Sequence, residues 1–304
     1  MPAGSLNYIA WPECDRLYLE KKYFEIHRII VPQDLIINPV NKIALPVYLT
    51  MYIMDNSTVN DCYNLPVTLK NICDRTRIYK NIQLREVHYT AVADAIQWLI
   101  DREYIVVDKF DRKSTAKFFY KFTDDLKNAI KKGTNGKKQQ FLYVSIKEIN
   151  KLFSAIYSNN KNWKFSTDAL IVYMYLKLKE ISWQYTQRRK PLPVWVGYLG
   201  NMYNVLNISS RKVSLIITWL KSEKIILPIY GAKEKSSGNR AKTIIVFLSC
   251  CNECDIHKIV ASAEAQIKEK DKNACWYPVD LAEANVDALD EAALDVVCDA
   301  DELY

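Results

Sequence analysis

The chain reads as an α+β protein in which one unit, three helices followed by a β-hairpin, occurs twice. Two observations lead there. The first is a repeat: "YTAVADAIQWLIDREYIVVDKF", Tyr89 to Phe110, carries Ile96, Trp98, Leu99 and Ile105 where "SSRKVSLIITWLKSEKIILPIYG", Ser209 to Gly231, carries Ile217, Trp219, Leu220 and Ile226, a constant offset of 121 residues. Upstream, "LPVYLTM" from Leu45 matches "LIVYMYL" from Leu170 at an offset of 125, the pattern left by duplication and drift in loop length. The second observation is charge. Of the 304 residues, 42 are basic and 35 acidic, yet nine of the acids and none of the basic residues lie in 280–304. Residues 1–279 therefore hold 42 basic and 26 acidic residues, a net of +16. A body that basic points to a polyanionic partner, nucleic acid ahead of anionic membrane.

The elements follow from apolar period and turn residues. In the second copy Ser166 or Thr167 caps a helix running to about residue 181, and Pro191 and Pro193 bar its continuation. A second helix spans about 196–206, a short turn falls at Asn207 and Ile208, and Ser209 caps a third helix to about 222. Val213, Ile216, Ile217 and Leu220 share one face of that helix, with Arg211, Lys212 and Ser214 off it. "KIILPIY" and "KTIIVFL", joined by the Gly-Ser-Lys loop "GAKEKSSGNRA", form the hairpin. The first copy repeats the order with helices near 43–55, 66–76 and 84–100 and a hairpin from "EYIVVDKF" and "AKFFYKF". Its second and third helices are joined by the longer "RIYKNIQ". An extended segment leads each copy, "YFEIHRIIV" and "FLYVSI", and is expected to complete that copy's sheet. The expected domains are 1–127 and 141–250, joined by a basic linker over 128–140 and followed by a Cys-containing segment and acidic tail over 251–304.

"VLNISSRKVSLIITWLKSEKII", Val205 to Ile226, resembles the helix-turn-helix core of winged-helix DNA-binding domains: a small turn and a Ser, two polar or basic residues, then an apolar-faced recognition helix. Two such modules in tandem on a basic chain of this length are similar to the replication initiator proteins of plasmids and phages. The resemblance covers residues 41–123 and 166–248 and implies that one winged helix reads DNA while the other shares dimerisation and DNA contact. A transcriptional regulator on the same fold is the alternative. A tandem winged-helix scaffold that does not bind DNA is the reading from another class, and the net charge of the body counts against it.

A recognition helix in the major groove needs an apolar back face and short polar or basic residues near its N-terminus. Ser209, Ser210, Arg211, Lys212 and Ser214 meet that need, and Lys233, Lys235, Arg240 and Lys242 of the hairpin loop suit the flanking phosphates. In the first copy the counterparts are Arg85 and His88, beside Tyr89, at the start of its third helix. Residues 109–138 hold ten basic and three acidic residues, so Arg112, Lys113 and Lys117 of the first wing form a second patch with the linker. Trp98 and Trp219 occupy matching apolar positions and belong to the cores rather than to base stacking.

Other chemistries find less support. Cys251, Cys254, His257 and Cys275 would supply four zinc ligands, but no second paired knuckle follows the single CxxC, so no metal or other cofactor is expected. Three scattered histidines, seven glycines and no GKT or GKS argue against an enzyme. Cysteines scattered singly apart from "CCNEC", no basic start followed by an apolar run, and "ALIVYMYL" as the most apolar segment predict a cytoplasmic protein away from the membrane. The tail places Val286, Leu289, Ala293 and Val297 at helical spacing among acids. It is read as solvated, as a docking segment for a replication protein, or as a mask over the basic body. The expected partner is double-stranded DNA, bound as a monomer or homodimer.

Overall fold

A computed structural model of the protein describes residues 28–57, 66–76, 85–113, 115–132, 140–158, 166–187, 192–232, 242–250, 256–269 and 271–277. The architecture is α+β with small antiparallel sheets, and the chain divides into two compact units, Met1–Ile171 and Val172–Tyr304.

The first unit runs β1 (Arg28–Pro32), α1 (Ala44–Ser57), α2 (Leu69–Thr76), α3 (Arg85–Asp101), β2 (Ile105–Val107), β3 (Tyr120–Phe122), α4 (Leu126–Lys132), β4 (Phe141–Ser145) and α5 (Ile146–Ser158). Asn41 starts α1: its side chain accepts the Ile43 amide at 2.9 Å, and Pro46 sits in the first turn, where no helical amide is needed. Every residue from Ala44 to Met51 is buried, so α1 has no solvent face over two turns and must lie at the centre of its unit. α2 and α3 pack against it. The Tyr48 hydroxyl donates to the Ile30 carbonyl and the Tyr120 hydroxyl to the Met51 carbonyl at 2.7 Å, tying β1 and β3 to the same helix.

α6 (Ser166–Gln187) crosses the division between the units. The second unit continues with β5 (Val194–Gly197), α7 (Gly200–Leu206), α8 (Ser210–Ser222), β6 (Ile226–Ile229), β7 (Thr243–Phe247) and α9 (Ile256–Lys268). Every residue from Asp168 to Leu178 of α6 is buried, repeating the all-round burial of α1. The sheet has the order β5-β7-β6, antiparallel throughout, with Val194 opposite Val246 and Ile226 opposite Phe247. In the first unit the corresponding third strand shrinks to a bridge, Val67 with Phe118, beside the β2–β3 pair.

The repeat is a repeat of cores. Ile96, Leu99 and Ile105 are buried, as are Ile217, Leu220 and Ile226; so are Leu45, Val47 and Tyr48 with Leu170, Val172 and Tyr173. Trp219 is buried, whereas Trp98 is half-buried, with the Arg102 guanidinium 4.9 Å from its ring centroid and Tyr104 edge-on to it. The turns after the third helices match bond for bond. Glu103 and Lys224, 121 residues apart, both take positive φ, 57° and 52°. Tyr104 N–H donates to the Leu99 carbonyl, and Ile225 N–H to that of Leu220, each at 3.0 Å. Both are left-handed helix ends built without glycine.

Four features differ from the sequence-based expectation. The leading strands do not complete their own copies' sheets; β1 and β4 pair with each other, Ile29 opposite Val144 and Val31 opposite Leu142. All four of those side chains are buried, and the third position in each copy's sheet is taken by the segment ahead of its second helix. Val196 begins no helix: Val194-Trp195-Val196, β-branched and aromatic, is extended as β5, and α7 starts at Gly200. The 128–140 segment opens as helix α4, anchored by buried Leu126 and Ile130, and residues 133–139 lie outside the described residues. Residues 141–171, expected to open the second domain, group with the first unit.

At Glu103 and Lys224 a β-branched side chain is strained by the left-handed backbone. Glu103→Val and Lys224→Val should each lose about 1–2 kcal/mol in urea unfolding, while Glu103→Gly and Lys224→Gly should lose nothing.

Candidate functional site

The site is built on α8. Ser209 is its N-cap, with the side-chain oxygen accepting the Lys212 amide at 3.4 Å, and Asn207 ends α7 in the left-handed conformation with φ 51°. Asn tolerates that backbone better than most residues, which is what lets α7 turn into α8 within three residues. The core side of α8 is Val213, Ile216, Ile217 and Leu220, all buried. Diametrically opposite, at spacings of four, three and four, stand Arg211, Leu215, Thr218 and Ser222. Arg211, Leu215 and Ser222 are exposed and Thr218 half-buried; Ser210, Lys212 and Ser214 flank the stripe, half-buried. No acid lies on this face.

The same face in the first copy is different. At an offset of 121 the equivalents are Thr90, Asp94, Gln97 and Asp101. Asp94 and Asp101 are exposed, so two carboxylates stand where α8 has Leu215 and Ser222. They are held within the unit: Asp94 pairs with Arg112, and Gln97 donates to Asp101 at 2.9 Å. His88 aligns with the cap Ser209, and α3 begins at Arg85, most of a turn earlier. Arg85 and His88 thus sit in the first turn of α3 but not at the positions equivalent to Arg211 and Lys212, and their side chains lie outside the described residues.

The hairpin of the first unit carries a cluster of positive charge. Arg112, Lys113 and Lys117 are exposed, with Lys109 and Lys121 beside them. Asp108 shapes the turn: its carboxylate accepts the Phe119 amide at 2.9 Å and the Lys109 amide at 2.6 Å. These bonds, the one from Phe119 first, hold its pKa below the ordinary carboxylate range.

In the second hairpin Lys233, Lys235 and Arg240 lie outside the described residues, but both ends of their loop are placed. Ala232 N–H donates to the Cys275 carbonyl at 2.9 Å, and the Trp276 indole N–H donates to the Lys242 carbonyl at 2.7 Å. Two adjacent residues thus clamp the two ends of the loop, and Lys242, half-buried, is one of the clamped positions. Trp276 packs on the cluster of Val194, Leu227, Ile244, Val246 and Ala263, as do Ile259 and Val260 of α9. Cys275 therefore acts here through its backbone. Its side chain is exposed, as is His257 on α9, Cys251 and Cys254 lie outside the described residues, and among the described residues no group of three His, Cys, Asp or Glu side chains gathers to hold a metal.

Sequence reasoning missed Leu215, Thr218, the acidic face of α3 and the Trp276 clamp. The first three were readable: once Val213, Ile216, Ile217 and Leu220 define the core side, period alone puts Leu215 opposite. The clamp joins residues 34 positions apart and has no local signal.

No family model, curated protein or solved structure matches the chain. Among the described residues no helix is long and apolar enough to cross a membrane.

Asp94→Asn removes the carboxylate that engages Arg112. Because the two side chains are 51% and 55% exposed, stability should change by less than about 0.5 kcal/mol. Elution of the protein from heparin should move to higher salt; unchanged elution would remove Arg112 from the basic patch.

Proposed function

We propose that the chain is a site-specific double-stranded DNA-binding protein made of two winged-helix units, the second of which reads bases. One observation carries this: α8 offers Arg211, Ser214, Leu215 and Thr218 on an acid-free face, on a helix pinned by four buried aliphatic residues and preceded by a tight left-handed turn. An exposed guanidinium near a helix N-terminus matches the paired acceptors of guanine, and short hydroxyls let the helix approach base edges. The first unit, with carboxylates on the corresponding face, contributes phosphate contacts through Arg112, Lys113 and Lys117 rather than base reading. Two attachment points on one chain raise affinity through effective concentration.

The biological task that fits is initiation of plasmid or phage replication: binding repeated origin sites and recruiting replication proteins. Its support is the tandem arrangement of the two units, the chain length and the net charge of +16 over residues 1–279. Two tandem units on one chain suit repeated sites at an origin better than the single operator of a regulator. Short repeats beside the reading frame that the protein footprints, and loss of replicon maintenance when they are deleted, would support this task. Occupancy of a promoter alone, with maintenance intact, would assign the protein to transcription.

The DNA reading makes a salt prediction. Each neutralised phosphate contributes roughly 0.9 to the slope of log K against log salt, so about six contacts give a slope near five on a random-sequence duplex. A flat response would sink the reading.

Arg211→Ala should weaken a selected site by roughly 1–3 kcal/mol and flatten the preference over random DNA, whereas Lys117→Ala should weaken both alike. Equal losses on both DNAs for Arg211→Ala would take it out of base reading.

A further inference from the structure

Leu215 is the one residue of the α8 stripe that the basic, hydroxyl-rich chemistry of that face does not explain. It is 53% exposed on the side directly opposite the core, so packing does not require it. Its equivalent in the first copy is Asp94, so the fold does not require an apolar residue there either. Its neighbours along the stripe are Arg211 and Thr218, with Ser214 beside it, so on α8 it is a single exposed apolar group among polar ones rather than part of an apolar patch. In the major groove one base presents an apolar feature of that size, the 5-methyl group of thymine.

We propose that Leu215 reads a thymine methyl in the major groove next to a guanine read by Arg211. The inference rests on the DNA-binding reading above and deepens it by naming what the site selects. Arg211 and Leu215 are four residues apart, a rise of about 6 Å along the helix. That is close to two base steps of roughly 3.4 Å, so the thymine falls within about two base pairs of the guanine. Ser214 and Thr218, both short, leave room for the helix to approach until the leucine touches the methyl.

The test uses the full chain and a duplex selected from a random-sequence pool, with each thymine in turn replaced by deoxyuridine, which removes only the methyl group. Wild-type protein should lose about fourfold in affinity, the equivalent of burying one methyl-sized group, at one thymine near the guanine whose recognition depends on Arg211. Leu215→Ala should bind the unsubstituted site more weakly and be indifferent to that replacement. As an exposed position it should keep its melting temperature, and Leu215→Gln gives a second variant of similar length without the apolar end. Selection of a defined sequence with no methyl-sensitive thymine overturns the inference and leaves DNA binding standing. Undiminished methyl sensitivity in Leu215→Ala does the same. Failure of the wild-type chain to bind any duplex at low salt overturns both.

Discussion

A helix with apolar side chains around its whole circumference has no side to give to water, and two of the described helices are of this kind over two turns, "ALPVYLTM" in α1 and "ALIVYMYL" in α6. Each residue left exposed there would forfeit roughly 1.5–3 kcal/mol of burial, so the surrounding elements must cover the helix from every direction. In the first unit α2, α3, the β2–β3 hairpin and the β1–β4 pair do this. Covering is also what fixes the third helix. α3 and α8 each present a row of fully buried aliphatic residues inward, and rotation about their own axes would expose that row. The outward stripe is therefore presented in an orientation set by the core side of the helix.

This division of labour explains how two copies diverge. Inward positions at the 121-residue offset stay apolar, because a close-packed interior resists change, and the turn after each third helix keeps the same bonds and the same positive φ. Outward positions carry no share of the close-packed core and are freer to change. They did so in opposite senses, toward carboxylates in α3 and toward Arg211 and Leu215 in α8. Two units with one fold can thus hold different surface chemistry, which is the basis for assigning base reading to the second alone in the proposed function.

The second hairpin carries a constraint at the base of its loop. Cys275 and Trp276 bond to Ala232 and Lys242, and the Tyr277 amide to the Tyr230 carbonyl at 3.1 Å, so the segment after α9 holds the base of the loop that bears Lys233, Lys235 and Arg240. The described chain ends at Tyr277, beside that base, and the nine acidic residues of 280–304 are tethered from there. The basic loop after Ala232 and the acidic segment after Tyr277 are thus joined to the described chain at one place.

Much of this was legible in the residues. Three helices and a hairpin per copy, the Ser209 cap and the core side of α8 follow from period and capping chemistry, which act over a few residues and leave local marks. α5 was equally legible, since Ser145 and Glu148 form a reciprocal cap, the hydroxyl accepting the Glu148 amide at 3.2 Å and the carboxylate the Ser145 amide at 2.9 Å, yet it was overlooked behind the strand that precedes it. Strand partnership was not legible. "RIIV" and "FLYVS" are short runs rich in β-branched and aromatic residues that suit strands, but such a run does not say which strand lies alongside; only closure of a common core over Ile29, Val31, Leu142 and Val144 decides that. The same holds for the clamp on the second hairpin, where an indole reaches a carbonyl 34 residues away. What the sequence determined by itself was every feature set by neighbours along the chain, the helices, their caps and the faces they bury; what the tertiary structure decided was pairing across it, because hydrogen-bond donors and apolar faces are interchangeable until the chain has closed around them.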